Sequence, residues 1–522
     1  MYKTKINMSI QLIDNLFEKI FSKTVIALTL TVFLGIIIRI YFTPWDLPTN
    51  SPDAFGYMLE GIAYSKGDFS YFNTRTLWPA VLSIFFVPFK FENYFEYITI
   101  MRIVSISISV LTIPILFLIS RKVLENKYAI LTTVLFTIEP NLVENSIFGI
   151  TEPIFIMIGL ISVYFAMNVD RKFLFIGFMF AGLAFDTRLN GIVLLFVMLI
   201  VSKVHIQNKK QFIYTISIGV GIFLLVIFPH FAYPIISETS PFPIINGITK
   251  TIFEEEVSYS TVNSGPVNSS FDIISNAAKN EFLHIFRISV PFLIILAPFG
   301  IITAVKEMNR QKIILFSCII ISLIIALPQY TISNEYRNLF FITPFLSIFA
   351  SMGIQKILPN VELKNIFLLL LISGLILLSG FFLNDRYTID KELFLEKDKI
   401  GKHIAKNFQG TIMGHHYLET VRNMDNILPG VVSTNESLYV LNPGIPMRTI
   451  DELLNFSINN NVDFLVMESS IDHKHFPIFS KIMVDEKKFI FFEKVFDSSE
   501  HGYKKIHTKI FKIDYSKYDK KE

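Results

Sequence analysis

Apolar runs of about twenty residues recur along this chain, from TVIALTLTVFLGIIIRIYF at 24–42 to NIFLLLLISGLILLSGFFLN at 365–384. A run of that length, wound as a helix, matches the hydrocarbon thickness of a bilayer. Recurring runs of this kind define a polytopic α-helical membrane protein. The composition agrees: of 522 residues, 52% are hydrophobic and only 17% charged, where soluble domains carry about 25% charged. A net charge of +3 is too small to point to a nucleic-acid partner. The single cysteine, Cys318, lies inside an apolar run, which leaves no intrachain disulfide and no Cys-based metal site. The first apolar run lacks a small-residue cleavage site and reads as a retained anchor.

About eleven spans are expected, near 24–42, 96–120, 128–144, 150–168, 173–187, 189–203, 211–229, 287–305, 311–328, 338–355 and 364–383. Short loops alternate in charge. Arg121, Lys122 and Lys127; Arg171 and Lys172; Lys203, Lys209 and Lys210; Lys306, Arg310 and Lys312; and Lys356 and Lys364 define one set. The positive-inside rule assigns these to the cytoplasm together with Lys3, Lys5, Lys19 and Lys23. The outer face then receives a loop at 43–79, a turn near 140–150, the Asp186–Asn190 junction, a loop at 230–284, a turn at 329–337 and the C-terminal segment. The stretch LWPAVLSIFFVPF (77–89) is too short to span and is expected to lie in the interface or dip into the bilayer; a full extra span there would invert everything downstream. The Asn268, Asn435 and Asn455 sequons fall on the same outer face.

The expected domains are a transmembrane domain over 1–386 and a soluble extracytoplasmic α/β domain over 387–522, in a multi-pass protein of the plasma membrane with a cytoplasmic N-terminus. In the C-terminal part, FLEKDKIGKHIAKNF alternates as an amphipathic helix. TIDELLNFSINN opens with a Thr449–Glu452 capping box, and VDFLVM, FIFFEKVF and HTKIFKI read as strands.

Ionisable groups at membrane depth are costly and usually functional. The outer loop gathers Asp46, Asp53, Glu60, Asp68 and Arg75 among Trp, Tyr and Phe. At the outer span ends sit Glu139 and Glu144 beside Pro140, Glu152 in ITEPIF, Asp186 and Arg188 in AGLAFDTRLNG, and Glu335 and Arg337 in SNEYRNLFFITPF. The chemistry that fits is glycosyl transfer from a lipid phosphate. The leaving phosphate needs arginine forks or a metal, and the acceptor needs a carboxylate for its proton. Asp53 is the base candidate, and Arg188, Arg337 and Arg75 are the phosphate candidates. Tyr57, Glu60 and Glu152 complete the substrate-binding set. Divalent Mg or Mn has carboxylates available, but no spacing demands a metal. Each residue also has a plainer reading: Asp53 as a helix N-cap, Glu152 as a helix start, Arg188 as a snorkelling or Asp186-paired side chain, Arg337 as a span flank. His415–His416 have no ligand constellation around them, and Glu254–Glu256 reads as a solvated run.

The segments SPDAFGY, ITEPIF, AGLAFDTRLNGIVLL and EYRNLFFITPFLSIFASMG, spread over about residues 24–355, resemble the GT-C superfamily of polyprenyl-phosphate-sugar glycosyltransferases, in its protein mannosyltransferase and aminoarabinose transferase-like branch. The resemblance implies a GT-C fold and a hexosyl, mannosyl or pentosyl transfer from a polyprenyl-phosphate sugar to a protein, glycan or lipid acceptor. It also implies that Asp53 is the catalytic base. Members often follow that Asp with Glu; here Ala54 follows. Oligosaccharyltransferases of the superfamily carry Trp-Trp-Asp in the soluble domain, whereas Trp45 and Trp78 are the only tryptophans here. En bloc oligosaccharide transfer by that mechanism is therefore not expected. A transporter or flippase of a lipid-linked sugar is the alternative, though no inverted repeat is visible; an inactive scaffold subunit is another.

Overall fold

A computed structural model describes residues 23–47, 51–68, 77–89, 94–168, 170–236, 270–331, 335–358, 364–408, 410–414, 438–440, 449–468 and 477–517. The chain forms two compact units. The first comprises Met1–Thr43, Phe69–Leu82 and Arg102–Asp385; the second comprises Pro44–Asp68, Ser83–Met101 and Arg386–Glu522.

The helices, in chain order, are α1 (Thr24–Phe42), α2 (Pro52–Ser65), α3 (Leu77–Phe86), α4 (Tyr94–Ser120), α5 (Asn126–Thr137), α6 (Pro140–Ile147), α7 (Glu152–Ala166), α8 (Arg171–Thr187), α9 (Ile192–His205), α10 (Lys209–Ile236), α11 (Ser270–Ser289), α12 (Leu293–Lys306), α13 (Arg310–Ala326), α14 (Thr343–Ile357) and α15 (Lys364–Asn407). Among the described residues, six helices are long and apolar enough to cross a membrane, or up to eight when bent pairs count as one span.

The helix boundaries have local causes, and at one of them an expected span is broken. The run expected as a span at 128–144 stops at Thr137, and α6 restarts at Pro140. Proline has no N–H to donate and suits the first helical position. Glu139 completes the break: its Oε2 accepts from the Leu142 backbone N–H at 2.7 Å. The α6–α7 pair is then bent by 118°. Helices α8 and α9 meet through a 3-10 turn at Leu189–Gly191, where a Cβ on Gly191 would collide with the Ala184–Phe185 backbone. Residues 77–89 hold a helix of ten residues, α3, whose Trp78 Nε1 donates to the Gly149 carbonyl at 2.9 Å. Neither expected outer loop is bare loop. Helix α2 lies inside 43–79, α10 runs to Ile236, and α11 starts at Ser270, so 230–284 is helical at both described ends.

Within the first unit the basic loops meet one another. Lys122 Nζ donates to Asn168 Oδ1 at 2.9 Å, Arg171 to Gln211 Oε1 at 2.7 Å, and Lys127 to Asn365; Lys356 pairs with Glu307 at 2.9 Å. The opposite ends of α7 and α8 carry Glu152 and Arg188.

The second unit contains a five-stranded sheet: β1 (Ile412–Gly414), β2 (Leu438–Val440), β3 (Phe464–Glu468), β4 (Phe492–Asp497) and β5 (Thr508–Ile513), in the order β2-β1-β3-β5-β4. The β1–β2 and β1–β3 pairs are parallel; β3–β5 and β4–β5 are antiparallel. Strand alternation sends Met413, Leu465, Met467 and Phe511 into one core with Leu453, Phe479 and Ile482. Ile412, Val466 and Ile510 enter another, with Ile400 and Ile404 of α15. Both faces are thus covered. Helix α16 (Ile450–Asn459) begins with the expected Thr449–Glu452 capping box. The Asn455 sequon lies within this helix, with Ser457 Oγ buried and donating to the Leu453 carbonyl at 2.7 Å. Asn268, Asn435, Glu254–Glu256 and His415–His416 lie outside the described residues.

Candidate active site

Three of the residues singled out in the sequence converge in the first unit. Glu152 opens α7 directly after the bend, and its side chain is 1% exposed. Its Oε1 forms an ion pair with Arg188 NH1 and faces Arg337 NH1 at 3.6 Å. Arg188 follows the last residue of α8, where extended backbone (φ −151°, ψ 139°) ends the helix. Its guanidinium also approaches Thr151 Oγ1 at 3.4 Å and donates to Asn338 Oδ1 at 3.3 Å. Asn190 Nδ2 reaches the same Asn338 oxygen at 3.4 Å, and Gln329 donates to Asn190 Oδ1. Arg337, in the 3-10 turn Tyr336–Ile342, also pairs with Glu335 at 2.8 Å. Residues 152, 188 and 337 come from three distant parts of the chain.

The burial gradient sets the electrostatics. The Glu152 side chain is 1% exposed, Arg188 13% and Arg337 22%. Both guanidiniums are therefore more exposed than the carboxylate they share, and the Glu335 carboxylate paired with Arg337 is more exposed still, at 48%. Glu152 Oε2 is buried with no hydrogen-bond partner among the described residues. Glu152 and Glu335 together balance the charge of the two arginines, whose planar guanidiniums have the fork geometry that suits a planar or tetrahedral oxyanion.

Asp53, Tyr57 and Glu60 belong to α2, in the second unit. Their i, i+4, i+7 spacing places them on one helix face. The N-cap is Ser51, whose Oγ accepts from Ala54 N at 3.4 Å, and Pro52 takes the first helical position. Asp53 is therefore not the cap; it sits in the first turn, where a carboxylate favours the helix dipole. Tyr57 is buried, while Asp53 and Glu60 are half-buried. Arg75 lies outside the described residues.

Other buried polar residues escaped the sequence reading. Arg39 is fully buried in α1; its Nε donates to Ser109 Oγ at 3.1 Å, and NH1 to the Gly35 and Thr137 carbonyls at 3.2 and 3.3 Å. The signal was present: Arg39 is a lone charge inside the apolar run at 24–42. Glu281 and His284 of α11 are also buried. They fell in a stretch assigned to loop, which hid their helical spacing. Among the described residues no group of three His, Cys, Asp or Glu side chains is arranged to hold a metal.

Residues 95–233 match the family described as dolichyl-phosphate-mannose-protein mannosyltransferase. No curated protein matches the chain by sequence. By fold, the chain is similar to the crystal structure of ArnT from Cupriavidus metallidurans bound to undecaprenyl phosphate, with a TM-score of 0.57 at 13% identity over 93% of this chain and 97% of that one. It is also similar to the Archaeoglobus fulgidus oligosaccharyltransferase in the apo form, with a TM-score of 0.53 at 9% identity over 85% and 69%. Archaeal AglB from the same organism, in complex with an inhibitory peptide and a dolichol-phosphate, gives 0.51 at 11% identity over 94% and 74%. Apolar spans, a bent-helix core and a small C-terminal sheet give this chain, read as an integral membrane protein, a fold similar to that of these solved structures, with the family match confined to residues 95–233.

Proposed function

We propose that this protein transfers one sugar from a polyprenyl-phosphate donor to a protein, glycan or lipid acceptor at the extracytoplasmic face of the plasma membrane. The observation that carries the reading is the Glu152–Arg188–Arg337 cluster: two guanidiniums from distant parts of the chain converge on one buried carboxylate. The solved relatives bound to undecaprenyl phosphate and dolichol-phosphate support a lipid-phosphate donor. The matched family's description makes mannose the first sugar to test.

In the reaction, an acceptor oxygen attacks the anomeric carbon. The bond from that carbon to the phosphate oxygen breaks, and the electron pair leaves with the polyprenyl phosphate. Arg188 and Arg337 stabilise the negative charge that grows on the departing phosphate. Glu152 holds both guanidiniums in place, and the Asn190–Asn338–Gln329 amides fix Arg188 from behind. The acceptor proton passes to the Asp53 carboxylate, a role taken from the family resemblance.

The test uses full-length protein in nanodiscs, radiolabelled polyprenyl-phosphate sugars and crude membrane acceptors. Wild type is expected to transfer label. Arg188→Ala should lower the rate about a hundredfold or more, as for loss of a donor to a developing oxyanion. Asp53→Asn should abolish transfer without loss of folded protein. Full activity in Arg188→Ala would overturn the phosphate assignment, and full activity in Asp53→Asn the base assignment. Movement of an intact lipid-linked sugar with no transfer would favour a transporter.

A further inference from the structure

Helix α11 carries Glu281, His284 and Arg287 at intervals of three residues, which places them along one face. The 3-10 turns Leu327–Thr331 and Tyr336–Ile342 pack against this helix. The His284 ring lies 5.2 Å from that of Tyr330 and 6.2 Å from that of Tyr336, and Arg287 Cζ stands 4.0 Å from the Tyr336 ring centre. Glu281 and His284 are each only 8% exposed. Glu281 Oε1 and His284 Nδ1 are buried with no hydrogen-bond partner among the described residues. A buried polar atom left unpaired is costly, and two such atoms a single helical turn apart need a reason.

A hydroxyl-bearing ring would supply one. The carboxylate oxygen accepts an O–H, the imidazole nitrogen accepts or donates, and the tyrosine faces take the C–H side of the ring. The wall also adjoins the arginine cluster. Tyr336 directly precedes Arg337, Tyr330 Oη donates to the Glu335 carbonyl at 3.2 Å, and the Glu335 carboxylate holds Arg337 at 2.8 Å. A sugar bonded to a phosphate has the same adjacency of a polyol ring and an anion. We propose that Glu281, His284, Tyr330 and Tyr336 form the subsite for the sugar ring of the lipid-phosphate donor. This rests on the reading of Arg188 and Arg337 as the phosphate site.

The two readings separate in a binding experiment on the full-length protein in nanodiscs. The probes are bare polyprenyl phosphate and polyprenyl phosphates bearing mannose, glucose, galactose or N-acetylglucosamine. At least one sugar-bearing lipid should bind wild type about tenfold or more tightly than the bare phosphate. Glu281→Gln and His284→Asn should remove most of that advantage and leave bare-phosphate affinity within about twofold, whereas Arg188→Ala should weaken both lipids. Glu281→Leu, which removes the buried Oε1, should keep or raise the thermal midpoint of the unliganded protein while losing the extra midpoint shift given by the sugar. The subsite is overturned if no sugar-bearing lipid outbinds the bare phosphate, if the Glu281 and His284 variants bind every probe like wild type, or if Glu281→Leu lowers the unliganded midpoint. Unchanged bare-phosphate binding in Arg188→Ala would instead overturn the phosphate site, with a sugar-dependent effect of Glu281 still readable.

Discussion

Asp497, at the end of β4 in the second unit, is a carboxylate with several donors aimed at it. Its Oδ1 accepts from Ser499 N at 3.0 Å and Ser499 Oγ at 2.6 Å and meets His507 Nε2 at 2.9 Å; Lys494 Nζ lies 3.4 Å from Oδ2. Burial alone would raise its pKa, but the hydrogen bonds from Ser499 and His507 outweigh it and hold the group at about 2. The folded value lies below the ordinary carboxylate value, so the ionised form stabilises the fold above about pH 4. That contribution is lost as pH falls from about 4 towards 2. In the full-length protein, amide protection of the β4–β5 hairpin, corrected for intrinsic exchange, should decline across that window. Asp497→Asn should remove that part of the decline and lower protection at neutral pH by about 1.5–3 kcal/mol, the range for hydrogen bonds to a charged group. An unchanged acid profile in the variant would refute the assignment. At this scale, legibility followed cost. Glu152, Arg188 and Arg337 stood out because a charge at the end of an apolar run needs a partner. Their mutual pairing did not, because residues 152, 188 and 337 are joined only by the packing of α7, α8 and the turn before α14.

The crossing of α12 and α14 is set by two glycines. A Cβ on Gly353 would lie 2.8 Å from Gly300 N and 3.1 Å from Phe299 Cβ, and one on Gly300 would fall on the Phe349 carbonyl. Without side chains at these points the backbones approach closely, which is how helices associate where no hydrophobic drive separates protein from lipid. Gly300→Ala or Gly353→Ala forces the helices apart and should cost about 1–3 kcal/mol, the range for overpacking. Gly221→Ala, on α10 with nothing near its Cβ position, is the control and should be neutral or slightly stabilising. Thermal midpoints of the three purified variants check this. Helix α14 starts directly after the turn that carries Arg337 and Asn338, so the first two variants should also lose transfer activity. Equal midpoints for Gly300→Ala and Gly221→Ala would dismiss the close crossing. Elements with strong local signals were legible: the Thr449–Glu452 box starts α16, HTKIFKI contains β5, and VDFLVM covers β3 except Glu468. Strands β1 and β2 span three residues each, too short to show a period. The break between α5 and α6 was hidden because hydropathy counts apolar residues and is blind to the cap that Glu139 supplies beside Pro140.

The whole molecule raises the question of which end of the helices faces which side of the membrane. In the first unit, α7 runs from Glu152 to Ala166 and α8 returns from Arg171 to Thr187, so the arginine cluster and the basic loops occupy opposite ends of the same pair. Lys122, Lys127, Arg171 and Lys356 each find a partner in another loop or helix end of that unit. The charge rule would orient such an end towards the cytoplasm and Glu152, Arg188 and Arg337 towards the far side, which is the orientation the proposed reaction requires. Cys318 is the only cysteine and is buried, so the native protein should resist a membrane-impermeant maleimide, and Cys318→Ala gives a clean background. Asn208→Cys, exposed between α9 and α10, should label only after the cells are opened. Asp385→Cys, exposed beyond the expected last span, should label in intact cells. The reverse pattern would turn the whole bundle over and place the arginine cluster in the cytoplasm. Labelling of both sites in intact cells would put an odd number of further crossings between positions 208 and 385, and the first place to look would be the bent pair formed by α11 and α12.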